Sequence, residues 1–96
     1  MPYHFEWDRR KAAINISKHG TSFDEASTVF DDPLAAIFDD EEHSDKEQRE
    51  LIIGHSAAGR LLLVAFVELS GETIRLISAR VATKKERADY EENLKP

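Results

Sequence analysis

A chain of 96 residues, 41% hydrophobic and 33% charged, has the make-up of a small globular domain and not of a disordered segment. With 19 acidic against 13 basic residues the net charge is −6, which excludes a uniformly basic nucleic-acid-binding domain and leaves only a local basic stripe for that role. The absence of cysteine excludes a disulfide scaffold and a thiolate metal site and fits a reducing, cytoplasmic setting, and the apolar runs are too short for a membrane span or a signal-peptide core.

One domain over residues 1–96 is expected, with no repeat and no linker. "YHFEW" (Tyr3–Trp7) alternates aromatic and polar residues, which predicts a strand with Tyr3, Phe5 and Trp7 on one face. Asp8 is an N-cap for the helix "RRKAAINISKH", and Gly20 closes it. Ser22 and Glu25 have the spacing of a capping box, opening a second helix to about Phe30 that buries Phe23, Ala26, Val29 and Phe30. "DDP" ends that helix. "LAAIF" (Leu34–Phe38) is a short apolar strand, and "DDEEHSDKEQ" has no apolar residue and reads as a solvated loop. Glu50–Ser56, Leu61–Leu69 and Thr73–Ala79 are strands joined by short turns, as in antiparallel hairpins. Thr83 and Glu86 form another capping box for a last helix to about Leu94. The order β-α-α-β-β-β-β-α predicts an α+β fold, an antiparallel sheet with two N-terminal helices and a C-terminal helix packed on it.

The charge is unevenly spread. Residues 21–50 hold eleven acids and two bases, while both flanks are mildly basic. Arg75, Arg80, Lys84, Lys85 and Arg87 crowd one such flank. Alternation places Arg75, Ile77 and Ala79 on one strand face, with Arg80 at the strand's end. Arg80, Lys84, Lys85 and the helix N-terminus can converge on an anion, or Glu86, Asp89 and Glu92 can neutralise them along the helix. Lys11, Asn15, Lys18 and His19 share a face of the first helix, suited to gripping phosphate and equally to facing solvent. His43, Ser44, Glu47 and Arg49 combine proton carriers with a guanidinium, or are simply a polar loop. His4 and His55 read as structural or exposed. No metal-ligand spacing, Gly-rich phosphate loop or nucleophile motif is present.

Taken together, "FEWDRRKAAINISKHGTSFDEASTVFDDPLA", "HSDKEQRELIIGHSAAGRLLLVAF" and "IRLISARVATKKERADYEE" resemble the BrnT family of bacterial toxins from type II toxin–antitoxin pairs, over about Phe5 to Glu92. The resemblance implies a RelE-like fold and a ribonuclease that inhibits translation without a metal or other cofactor. It implies a BrnA-like antitoxin with a ribbon-helix-helix DNA-binding domain, through which alone the pair meets operator DNA. On the matching positions, His43, Glu47, Arg49 and Arg80 are the catalytic candidates. His43 or Glu47 would move protons, and Arg49 and Arg80 would stabilise phosphate. Lys11, Lys18, His19, Arg60, Lys84 and Lys85 are the RNA-binding candidates, and Lys18 and His19 are second candidates for the catalytic roles. Where many members resemble one another in a Thr-x-Arg pair at the end of the central strand, this chain has Val67 and Leu69. That departure keeps a second expectation open: a toxin-like binding module without activity, acting only with its antitoxin in operon autoregulation.

Overall fold

The computed structural model describes residues 3–43 and 47–94, so Ser44 of the polar loop lies outside the described residues. Five strands, β1 (His4–Glu6), β2 (Ala36–Asp39), β3 (Arg49–His55), β4 (Leu61–Glu68) and β5 (Thr73–Val81), form one sheet in the order β1-β5-β4-β3-β2. Three α-helices accompany it: α1 (Arg9–His19), α2 (Phe23–Ser27) and α3 (Lys84–Asn93). The architecture is α+β as expected, but the sheet is mixed and not antiparallel throughout. β2 to β5 are antiparallel neighbours, whereas β1 runs parallel to β5, with Phe5 opposite Ile74. Short turns dictate antiparallel pairing only between strands adjacent in sequence, and β1 finds its partner nearly seventy residues away.

The helix ends follow local chemistry. Asp8 Oδ1 accepts the N–H groups of Arg10 and Lys11 at 2.8 and 3.0 Å, and Gly20, at φ 63°, donates its N–H to the Ile16 carbonyl. The second helix is shorter than expected. It tightens into a 3₁₀ turn at Thr28–Asp31, where the Thr28 hydroxyl donates back to the Glu25 carbonyl at 2.6 Å. β2 starts two residues later than expected, because Asp32 holds the Leu34 and Ala35 N–H groups in a turn. Gly54 is needed there: a Cβ on it would sit 2.8 Å from the Ala35 Cβ.

Strand alternation divides the side chains between the two sheet faces. Ile52, Leu62, Val64, Phe66, Ile74, Leu76 and Ala79 meet Phe23, Ala26 and Val29 in a buried core, with Tyr3, Phe5 and Trp7 packed against its margin. Phe30 stacks edge-on against Phe66 at 5.0 Å. The opposite face is covered only in part, where Tyr90 of α3 packs on Ile53 and Leu61. A β-bulge alters the register of β5. Ala65 pairs with Ser78 but Phe66 with Leu76, leaving Ile77 as the extra residue. Ala79 therefore turns into the core with Leu76, not onto the face of Arg75, and Arg80 joins Arg75 on the less covered face.

Candidate functional site

The less covered face of the sheet carries the candidate site. Arg49 and Arg75 are the cross-strand neighbours of Val67 on either side, and Arg80 is opposite Leu63. A cleft of about 430 Å³ opens there, floored by Leu51, Leu63 and Ala65 and walled by His43, Arg49, Ser78, Arg80 and Glu86. His43, Arg49 and Arg80, three of the four catalytic candidates, are thus brought together from a turn, β3 and β5.

His43 and Arg80 are held by identifiable contacts. His43 ends a 3₁₀ turn (Glu41–His43), and its Nδ1 lies 3.1 Å from Oδ2 of the largely buried Asp40. Arg80 and Glu86 make two parallel hydrogen bonds of 2.8 Å, Nη1 to Oε1 and Nη2 to Oε2. The same Glu86 accepts the Thr83 N–H at 2.9 Å, while its own N–H donates to the Thr83 hydroxyl, so the expected capping box is present. The Arg80 guanidinium, and after it the Thr83 N–H, hold the Glu86 carboxyl down at about 2, and Glu86 in turn raises Arg80. The fourth candidate, Glu47, lies outside the cleft lining. Its Oε2 is 3.7 Å from Arg75 Nη1, and Arg75 Nε is equally far from Glu6.

The cations of the 75–87 stretch do not converge. Arg75 faces Glu6 and Glu47, Arg80 is held by Glu86, Arg87 lies 4.0 Å from Glu91, and Lys84 and Lys85 are exposed beyond the cleft lining. Lys11, Lys18 and His19 do gather, along a smaller hollow of about 180 Å³ that ends on Ile77 and Ser78. Ile77 and Ser78 line the cleft as well, so the bulge is a shared wall between the hollow and the cleft.

Two residues have duties that spacing alone did not reveal. Asn15, expected on the polar stripe, is only 5% exposed. β1 covers the outer edge of β5 only along Thr73–Arg75, and farther on Asn15 takes the place of a strand. Its Oδ1 accepts the Ala79 N–H at 3.0 Å, and its Nδ2 donates to the carbonyls of Ala79 and Thr21, both at 2.8 Å. Ala79 lies between Ser78 and Arg80, so this amide fixes the backbone that aims both side chains into the cleft. The available signal was an amide at a helix-interior position, where Asn is a poor helix former. Arg60 is the other. Its Nε donates to Glu25 Oε2 at 2.9 Å and its Nη2 to Glu25 Oε1, and the Ser56 hydroxyl donates to the same carboxylate. Arg60 leads in lowering the Glu25 carboxyl, with Ser56 adding to it. Glu25 therefore spends its carboxylate on Arg60 and Ser56, and only the Ser22 half of that capping box forms, with the Glu25 N–H donating to Ser22 Oγ. Arg60 stands outside the cleft lining.

His55 and His4 take no part in the cleft. The His55 N–H donates to Asp32 at 2.8 Å and its ring meets Tyr90 edge-on, while His4 is exposed on β1. Among the described residues no group of three or more His, Asp or Glu has the arrangement to hold a metal ion, and no helix is long and apolar enough to cross a membrane.

Fold and cleft define a small α+β domain that gathers an imidazole, a hydroxyl and two guanidinium groups over one open sheet face, with the carboxylates of Asp40, Glu42 and Glu86 among them. The model of the ribonuclease toxin BrnT of type II toxin–antitoxin systems matches residues 7–86, and the chain belongs to that family. All ten catalytic and RNA-binding candidates fall within the matched span. The 1.1 Å crystal structure of the Brucella abortus ribonuclease toxin BrnT is similar, with a TM-score of 0.65 and 26% sequence identity, over 85% of this chain and 99% of that one. The sequence has no significant match among curated proteins.

Proposed function

We propose that this protein is itself an active ribonuclease that cleaves RNA without a metal and so inhibits translation in the cytoplasm, with the cleft as its active site. One observation carries the proposal: a turn and two strands place His43, Arg49 and Arg80 around a single cleft. In the reaction proposed, a ribose 2′-oxygen attacks the adjacent phosphorus. The new O–P bond forms as the bond to the 5′-oxygen of the next nucleotide breaks, giving a 2′,3′-cyclic phosphate and a 5′-hydroxyl. A base must take the 2′ proton, an acid must protonate the departing oxygen, and cations must stabilise the charge gathering on phosphorus. His43 suits the proton transfers. With Nδ1 bound to Asp40, its Nε2 is the nitrogen left to exchange a proton with substrate. Arg49 and Arg80 suit the charge. Glu86 presents Arg80 as a flat fork, and an incoming phosphate would exchange for that carboxylate. Glu47, beside Arg75, fits the role of holding Arg75 better than that of the base. Beyond the bulge, Lys11, Lys18 and His19 would continue the track for the RNA backbone. A RelE-like relationship and an antitoxin with a ribbon-helix-helix domain belong to the same proposal.

The test is cleavage of a structured RNA by purified protein, with and without EDTA. Wild type should cleave equally in both conditions, and His43→Ala and Arg80→Ala should cleave far more slowly in both. Activity that vanishes with EDTA and returns with a divalent ion overturns the metal-free mechanism.

The binding-module alternative has its own observation. Val67 is 5% exposed between Arg49 and Arg75, and Leu69, just past the end of β4, is exposed, so these two positions offer no hydroxyl or cation beside the arginines. Expression in bacteria without antitoxin separates the two: a module leaves growth unchanged, and an active nuclease arrests it.

A further inference from the structure

Beside the cleft lies a groove of about 450 Å³ between α3 and the strands β2 and β3. Leu34, Phe38, Leu51, Ile53, Tyr90 and Leu94 line it. Three of these stand well out in solvent: Leu34 is 58% exposed, Phe38 47% and Leu94 45%. Isolated exposed apolar residues are ordinary, but three large ones converging on one concave surface mark a contact site. The groove also borders the edge of the sheet, because β2 pairs only with β3.

The rim determines what kind of partner fits. Glu86 and Asp89 of α3 line the groove on one side, and Asp39 follows Phe38 directly in the chain on the other. An apolar floor bordered by carboxylates complements a segment with apolar anchors and flanking Lys or Arg. The space lies over a sheet face beside an existing helix, which is the place of another helix in a layered α+β fold. We propose that this groove is the docking site for a basic, amphipathic helix of the protein's own antitoxin. The proposal rests on the toxin reading above. It also supplies a means of neutralisation. Leu51, Leu63 and Glu86 line both groove and cleft, so a helix in the groove lies against the cleft wall and obstructs an RNA entering it.

The test measures binding of the full-length cognate antitoxin to purified wild type, to the Leu34→Glu/Phe38→Glu double variant, to Asp89→Lys, and to Lys11→Glu as a control. Both residues of the double variant are exposed, so circular dichroism and Tm should show it folded, and Asp89→Lys probes the rim without touching the apolar floor. The double variant should lose at least about 30-fold in affinity, the scale of a hot-spot residue. Asp89→Lys should lose less and show a weaker dependence on salt, and Lys11→Glu should bind as wild type does. Peptides tiled across the antitoxin should locate the binding segment in a stretch with apolar residues three and four apart beside Lys or Arg. Wild-type affinity in the folded double variant overturns the proposal, as does a wild-type dimer that this variant dissociates, since the groove's occupant is then a second copy. RNA cleavage is measured on the same variants. Groove-dependent antitoxin binding with no cleavage by wild type leaves the docking site standing and removes the nuclease. Cleavage with groove-independent binding does the reverse.

Discussion

The two faces of the sheet are built from alternate residues of the same strands and serve opposite ends. Along β4, Leu62, Val64 and Phe66 point to one side, where α1 and α2 seal them. Leu61, Leu63, Ala65 and Val67 point to the other, where α3 covers only one end. Both sets are apolar, so hydrophobicity alone does not say which face works. The difference comes from the neighbouring strands. On the sealed face β3 and β5 add Ile52, Ile74, Leu76 and Ala79, and on the open face they add Arg49, Arg75, Ser78 and Arg80. One face is thus committed to stability and the other is left to bind, and the bulge at Ile77 sorts Ala79 and Arg80 between them.

Mutations should separate these commitments. Phe23→Ala empties a site that is 1% exposed, and it should cost about 3–5 kcal/mol of stability, enough to unfold much of a domain this small. Arg80→Ala on the open face should lower cleavage by about 10²–10³-fold, the usual effect of removing a transition-state charge donor, while stability falls by less than in Phe23→Ala, since only the pairing with Glu86 is lost. If instead Arg80→Ala unfolds the protein as Phe23→Ala does, the division between faces is wrong. Urea titrations and single-turnover cleavage on the same preparations measure both.

Asn15→Leu sharpens the comparison, because this side chain sits on the sealed side yet holds the strand of the open one. Leaving the Ala79 and Thr21 backbone groups without their partner should cost about 1–3 kcal/mol, and cleavage should fall further than the lost stability explains. Asn15→Asp keeps the Oδ1 acceptor for Ala79 but loses both donations, so hydrogen exchange at the Ala79 amide should remain slower than in Asn15→Leu.

Acid should act through the carboxylates that the fold stabilises as anions. Glu86 falls from its ordinary 4.5 to about 2 on folding, so its contribution is fully present above 4.5 and is lost as pH drops toward 2. Glu25 is shifted in the same direction. Urea midpoints measured from pH 6 to pH 2 should fall across that window, and Glu86→Gln should flatten part of the slope. The smallest effect expected is that of Thr83→Ala, which removes an exposed cap at about 1 kcal/mol and should leave cleavage nearly unchanged if Arg80 keeps its hold on Glu86.

Much of this molecule was legible in the chain because its signals are local. Asp8, Gly20 and Thr83 end or begin helices through bonds to residues two to four positions away, so spacing sufficed to find them. The central hairpins followed from apolar runs and short turns. The candidate site was legible in its residue types and not in its geometry. His43 and Arg80 were singled out as proton carrier and cation, but their meeting depends on β3, β4 and β5 lying side by side. Arg60 carried the same signal as Arg80, a guanidinium near a strand end, yet the fold gives it to Glu25 and keeps it away from the cleft. A charge does not encode its partner when that partner lies 35 residues away.

By itself, then, the sequence determined the kinds of elements and their order, since helix caps, turn residues and alternation act over a few bonds. The tertiary structure decided the parallel pairing of β1, the bulge at Ile77, the burial of Asn15 and the company each arginine keeps. Each of these depends on which distant segment arrives alongside. That outcome is fixed by closing one core around Phe23, Leu62 and Leu76, not by any short stretch of the chain.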